Sequence, residues 1–205
     1  MPIDLVLFDM DDVLCAYDVP RRLGELSRLS GRSVEAVHAA IWDSGFEHAA
    51  DEGAIDAQGY LEGFGARLGR PLSRDEWVAA RRIAMTPWPD MLARAEALRA
   101  TGRRIAVLSN NGLLTAETIN EMFPALRPVF GPDIFMSAQF RATKPAPEVF
   151  HGALSRLGAA PERTLFFDDK AENVAGARAA GLDAEVFAGV AGFDAHLARR
   201  GIVLA

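Results

Sequence analysis

Unbroken apolar runs and helical apolar stripes alternate along most of this chain. Leu5-Val6-Leu7-Phe8 is apolar without alternation, the pattern of a strand buried on both faces. Ile105-Ala106-Val107-Leu108 and Thr164-Leu165-Phe166-Phe167 repeat it, and Ile134-Phe135-Met136 and Ala184 to Phe187 are shorter strand candidates. Helical stripes lie between them. Met91, Leu92, Ala95 and Leu98 form one, closed by Gly102, and residues 115–123 form another. Residues 147–157 are opened by Pro145 and Pro147 and ended by Gly158; residues 171–180 run to Gly181, and residues 193–200 make a final helix. Strands alternating with helices predict a parallel sheet with right-handed crossovers.

One block interrupts this rhythm. Residues 19–86 carry helical signals and no convincing buried strand. Val19, Leu23, Leu26 and Leu29 recur at helical spacing up to Gly31, and Ser33 caps a second stripe of Val34, Val37 and Ile41. Ile55, Tyr60, Leu61, Phe64 and Leu68 suggest a third helix, stopped near Gly69; Ser73 and Glu76 then form a capping box ahead of Trp77, Ile83 and Met85. Consecutive helices imply a small bundle, with Pro87-Trp88-Pro89 at its exit. The expected fold is α/β: a Rossmann-like parallel sheet core of residues 1–14 and 87–205, with an inserted α-helical cap domain, residues 15–86, above the carboxyl ends of the strands.

Composition narrows the partners. A net charge of −6 and a pI near 5.3 argue against nucleic acid, whose phosphates select basic surfaces. No apolar run approaches the roughly 18 residues of a membrane span. Residues 1–14 carry acids and no Lys or Arg, so they do not resemble a secretory leader. The single cysteine, Cys15, has no partner for an internal disulfide. These features suggest a cytoplasmic protein, monomer or homodimer, without a membrane partner.

The chemistry lies where the strands stop. The first ends in Asp9-Met10-Asp11-Asp12, the second in Ser109-Asn110, and the strong late strand in Asp168-Asp169. Lys144, one of only two lysines, stands just before a helix. The carboxyl edge of an open α/β sheet is where ligands bind. Brought together there, Asp9, Asp168 and Asp169 would repel unless a cation joined them, and such oxygen ligands suit Mg²⁺. Ser109 and Lys144 would cradle a phosphoryl group, a carboxylate beside it could attack, and a second carboxyl could move protons.

With these residues in place, the chain resembles the haloacid dehalogenase-like (HAD) hydrolase superfamily across nearly its full length. Four motifs carry the resemblance, in order: Phe8-Asp9-Met10-Asp11-Asp12-Val13-Leu14; Val107-Leu108-Ser109-Asn110; Lys144-Pro145-Ala146-Pro147-Glu148-Val149-Phe150; and Phe167-Asp168-Asp169-Lys170 with Asn173. The pattern is similar to the phosphatase branch that includes bacterial sugar-phosphate phosphatases and the N-terminal phosphatase domain of soluble epoxide hydrolases. The resemblance implies Asp9 as nucleophile and Mg²⁺ ligand, and Asp11 as general acid/base with its backbone carbonyl on the metal. It implies Ser109, Asn110 and Lys144 as phosphoryl-binding residues, Lys144 also being catalytic, and Asp168 and Asp169 as further Mg²⁺ ligands. The expected activity is hydrolysis of a small phosphate ester through an aspartyl-phosphate. The alternatives are a 2-haloacid dehalogenase, which in this family lacks the second aspartate, a phosphosugar mutase, and a catalytically silent binder.

Some residues draw a structural expectation. Asp12 stands where the family usually has Gly, and Asp tolerates the positive φ that such a turn needs. Asn173 is expected to cap a helix or support the site, and Cys15 to pack. The four histidines show no ligand spacing. Tyr17 and the segment Trp42 to Glu47 are the first places to look for substrate reading. Asp51-Glu52 is expected in a solvated loop, and Arg21, Arg22, Arg81 and Arg82 on solvated helix faces.

Overall fold

A computed structural model describes residues 2–204. Its centre is a five-stranded parallel sheet. The strands are β1 (Leu5–Phe8), β4 (Arg104–Ser109), β5 (Ile134–Met136), β6 (Thr164–Asp168) and β7 (Asp183–Val186), in the order β5-β4-β1-β6-β7. β1 lies between β4 and β6, with Phe8 opposite Val107 on one side and Phe167 on the other. The chain adds strands outward on one side of β1 and then on the other, so the crevice of this doubly wound sheet opens above β1.

The unalternated runs are explained by burial on both faces. Val6 and Phe8 pack with Met91, Ala95 and Leu98 of α6 (Pro89–Ala100) and Phe193 and Leu197 of α11 (Val190–Arg199). Leu5 and Leu7 turn to the opposite face, against Val149, Phe150 and Ala153 of α9 (Pro147–Leu157) and Val174 and Ala177 of α10 (Ala171–Ala179). Phe8 stacks near Phe167 and meets Phe130 edge-on, and Phe150 meets Phe166 edge-on. The remaining core helices are α7 (Leu113–Met122) and the short α8 (Leu126–Phe130).

The helical insertion follows β1. It comprises α1 (Val19–Ser30), α2 (Val34–His38) continuing into a wider turn (Ala39–Asp43), α3 (Phe46–Asp51), α4 (Ala57–Leu68) and α5 (Arg74–Arg82). Asp18, Ser33 and Asp56 cap their helices through side-chain oxygens, Gly31 and Gly69 end α1 and α4 in the left-handed region, and Ser73 with Glu76 forms the expected capping box. Two features differ from the sequence reading. Residues 15–17 and 85–87 are strands, β2 (Cys15–Tyr17) and β3 (Met85–Pro87), paired antiparallel as a ribbon at the base of the insertion. Met85 therefore lies on this ribbon, beyond the end of α5.

Close approach fixes one element against the site. A methyl group on Gly176 of α10 would lie 2.1 Å from the carbonyl oxygen of Pro145 and 2.7 Å from its Cβ. α10 thus rests directly on the backbone that follows Lys144. The Gly176→Ala variant is expected to lose about 1–3 kcal/mol through overpacking, measured as a fall of several degrees in Tm. An unchanged Tm would show that α10 moves away at no cost.

Candidate functional site

The carboxyl edge of the sheet and the helical insertion enclose a cleft of about 380 Å³. Asp9, Asp11, Ser109, Asn110, Lys144 and Asp169 all line it, and Asp168 lies fully buried beneath. Asp9 follows β1 directly, and its backbone N–H donates to the Phe167 carbonyl at 2.8 Å. Ser109 ends β4 and Asp168 ends β6. Because β1 pairs with both strands, the sheet itself sets the spacing of these three side chains.

Lys144 joins the acids. Its Nζ lies 2.8 Å from Asp9 Oδ1 and 2.7 Å from Asp168 Oδ2, with the lysine and both acids buried. The contact to Asp168 is a directed hydrogen bond, whereas that to Asp9 is an ion pair off the hydrogen-bond axis. Asn110 sets the lysine in place. Its Nδ2 donates to the Lys144 carbonyl at 2.9 Å, and its Oδ1 accepts from the Lys144 N–H at 2.8 Å. Asn173 supports Asp168, donating through Nδ2 to both carboxylate oxygens at 2.9 and 3.0 Å. With the Lys144 bond, the Lys170 N–H makes a fourth to Asp168, at 2.9 Å. Asn173 is thus a support for the buried acid and not a helix cap.

The electrostatics follow from crowding. Burial pushes the Asp9 carboxyl up to about 7; Lys144 pulls it back and Asp168 pushes it further up. Burial also raises Asp11, against the pull of Arg81, and raises Asp169, where Asp168 adds to the effect. Lys144 is held protonated despite burial by Asp9 and Asp168. One carboxylate oxygen from each of Asp9, Asp168 and Asp169 lies within 4.8 Å of the others. A cation with bonds of ~2.1 Å reaches oxygens up to ~4.2 Å apart, so small rotations close the set, and the all-oxygen donors suit Mg²⁺.

Asp12 and Cys15 have structural positions. Asp12 has φ 56°, the left-handed conformation expected of it. Its Oδ1 accepts from the Tyr17 N–H at 3.2 Å, and its N–H donates to the Cys15 carbonyl at 2.7 Å, closing the turn into β2. Cys15 is fully buried, and burial followed by the Asp11 carboxylate pushes its thiol well up, away from thiolate chemistry.

The insertion supplies the far wall of the cleft: Tyr17, Val19, Arg22, Trp42, Glu47, His48, Asp51 and Arg81. Tyr17, Trp42 and Glu47 were legible in the sequence; the two arginines and Asp51 correct it. Arg22 and Arg81 are 1% and 3% exposed, not solvated. Arg22 donates through Nη1 to Glu47 at 3.0 Å and to the Tyr17 hydroxyl at 3.1 Å, with its guanidinium 5.0 Å from the Trp42 ring centre. Glu47 also accepts from the Tyr60 hydroxyl. Arg81 lies 5.0 Å from the Tyr17 ring centre and donates to Asn111. Asp51 belongs to α3 and not to a loop. Burial and Glu47 push its carboxyl up to about 8, against the pull of Arg81 and Arg22. The signal for the arginines was positional: Arg22 stands four residues before Leu26 and Arg81 four after Trp77, each on its helix's apolar stripe. Asn111, next to Asn110 and 4% exposed, gave no separate signal.

Known proteins resemble this chain in sequence and in fold. A Mycobacterium tuberculosis protein described as a phosphatase is 32% identical over 193 residues, covering 90% of this chain and 87% of its own. A Porphyromonas gingivalis protein described as a predicted HAD-like family hydrolase superposes with a TM-score of 0.79 at 19% identity, over 96% of this chain and 98% of its own. A HAD family enzyme from Bacteroides thetaiotaomicron, solved with magnesium and inorganic phosphate, gives 0.74 at 20% identity, over 92% and 96%. Among the described residues no helix is long and apolar enough to cross a membrane. The model of the haloacid dehalogenase-like hydrolase family matches residues 3–181, and the chain belongs to that family of hydrolases.

Proposed function

We propose that this hydrolase is a Mg²⁺-dependent phosphatase of small phosphate monoesters. The observation that carries the reading is the convergence of Asp9, Asp168 and Lys144, with Ser109 and Asp11 lining the same cleft. A related M. tuberculosis protein described as a phosphatase supports the reaction class. A structural neighbour holding magnesium and phosphate supports the cofactor. Asp9, Asp168 and Asp169, with the backbone carbonyl of Asp11, would hold the Mg²⁺. When bound, it neutralises charge between the carboxylates and the phosphoryl oxygens.

Asp9 attacks phosphorus, the ester oxygen leaves, and an aspartyl-phosphate forms. Asp11, raised by burial, donates its proton to the departing oxygen. It then takes a proton from the water that attacks the phosphorus of the intermediate, releasing inorganic phosphate and free Asp9. Ser109 and Lys144 hold the phosphoryl oxygens throughout, and Asn110 keeps Lys144 in register. Asp11 weighs against dehalogenation, since a halide leaves without a proton. The helical insertion acts as the cap, opening for exchange and closing to limit water.

The cap wall suggests the leaving group. There Arg22 pairs with Glu47 and Arg81 donates to Asn111, beside the Tyr17 and Trp42 rings and the Asp51 carboxyl. A wall whose arginines are already engaged, with many hydrogen-bonding groups around them, suits an uncharged, hydroxyl-bearing group, as in a sugar phosphate. A panel of sugar phosphates, nucleotides and phospho-acids should rank sugar phosphates highest in kcat/KM. A clear preference for phospho-acids would overturn this finer reading.

Three variants test the mechanism. Asp9→Asn is expected to reduce Mg²⁺-dependent phosphate release to background without loss of fold, and wild-type turnover in that variant would sink it. Asp11→Asn should slow an alkyl phosphate by roughly 10²–10⁴-fold, and an aryl phosphate with a better leaving group much less. Asn173→Ala removes two hydrogen bonds from the buried Asp168. It should cost about 1–3 kcal/mol in urea unfolding and weaken the Mg²⁺ dependence of activity by about 10–100-fold.

A further inference from the structure

Asn111 takes no part in the chemistry above, yet each end of its buried side chain meets a different partner. Arg81 Nη2 donates to Asn111 Oδ1 at 2.7 Å, and Asn111 Nδ2 donates to Ser109 Oγ at 2.9 Å. Thr115 Oγ1 also reaches Oδ1, at 3.4 Å. A guanidinium has donors and no acceptor. Arg81 therefore accepts only one orientation of the amide, with oxygen toward α5 and nitrogen toward Ser109. A serine hydroxyl has one proton and two lone pairs. With a lone pair taken by Asn111, the Ser109 proton must point elsewhere. It donates to no acceptor among the described residues, and Ser109 lines the cleft.

We propose that Arg81 is a positioning residue: through Asn111 it commits the Ser109 hydroxyl to donating into the cleft, toward a group that only accepts hydrogen bonds. This rests on the reading of Ser109 as a phosphoryl ligand. The dianionic phosphoryl oxygens of a phosphate ester are such acceptors. Arg81 belongs to the insertion while Asn111 and Ser109 belong to the core, so the relay exists only when α5 is seated. A second route ties the same asparagine to the insertion. The Asn111 N–H donates to Ser137 Oγ at 3.0 Å, and Ser137 Oγ donates to the Asp51 carbonyl of α3 at 2.7 Å. Seating of the insertion and binding of the phosphoryl group thereby become linked, each favouring the other.

The test is titration of inorganic phosphate into the whole chain with Mg²⁺ present, read by calorimetry, with thermal melts confirming each variant's fold. Ser109→Ala should weaken phosphate by roughly tenfold or more, the worth of a hydrogen bond to a charged group. Asn111→Asp keeps the shape and the Arg81 contact but offers Ser109 an acceptor, drawing its proton away from the cleft. It should weaken phosphate about as much as Ser109→Ala. A new carboxylate also repels phosphate directly, so the double variant decides. In the Ser109→Ala background most of the Asn111→Asp effect should vanish. Arg81→Met should weaken phosphate in the wild-type background and by much less in the Ser109→Ala background, which separates loss of the relay from loss of a nearby positive charge. Equal losses from Asn111→Asp in both backgrounds would overturn the relay and leave Ser109 as a ligand. Unchanged affinity in Ser109→Ala would overturn the premise and the relay together. A wild type that binds no phosphate would overturn the proposed function as well.

Discussion

Everything at this site depends on one ammonium group set between two buried carboxylates. Asp9 and Asp168 come from adjacent strands, and their charges would drive those strand ends apart. Lys144 Nζ, within 2.8 Å of both, holds them. None of the three charges is stable there alone. Removing one member of a buried ionic cluster typically costs about 3–5 kcal/mol, because it leaves a charge unpaired. The surroundings are accordingly rigid: Asn110 clamps the lysine's backbone, Asn173 grips Asp168, and the Phe166 ring lies 5.4 Å from Nζ. A ligand entering here meets a constellation already fixed by the sheet.

Much of this was legible in the chain because the relevant signals are local. Leu5 to Phe8 and Thr164 to Phe167 are apolar throughout, as strands covered on both faces must be, and the acids follow at once. The helix caps and terminal glycines of the insertion rest on residues a few positions apart. The β2–β3 ribbon was not legible. Each strand has three residues, and each acquires its partner from about seventy positions away. Helix α8 contains Pro128 and has five residues, too few to show a period.

The site divides along the same line. Asp9, Asp11, Ser109, Lys144, Asp168 and Asp169 each sit at a recognisable strand end or helix start. Arg22 and Arg81 carry charges that usually mean solvent, and only the tertiary packing of α1 and α5 over the cleft buries them. Asp51 likewise looks like part of an acidic loop until α3 turns it inward. Asp12 shows the converse. Standing where the family usually has Gly, it meets the turn's backbone demand as expected, and it also holds the Tyr17 N–H.

The ribbon at the base of the insertion makes the chain's departure from the core and its return nearly coincident. Ala16 faces Thr86, and the Trp88 N–H donates to the Leu14 carbonyl at 2.9 Å. The insertion is therefore a graft on a single stem. The register of the sheet strands is set by their own pairing and not by the helices on this stem. The strand ends that carry Asp9, Ser109 and Asp168 keep their spacing whatever length the segment between the stem's two strands takes, provided α5 still brings Arg81 to Asn111.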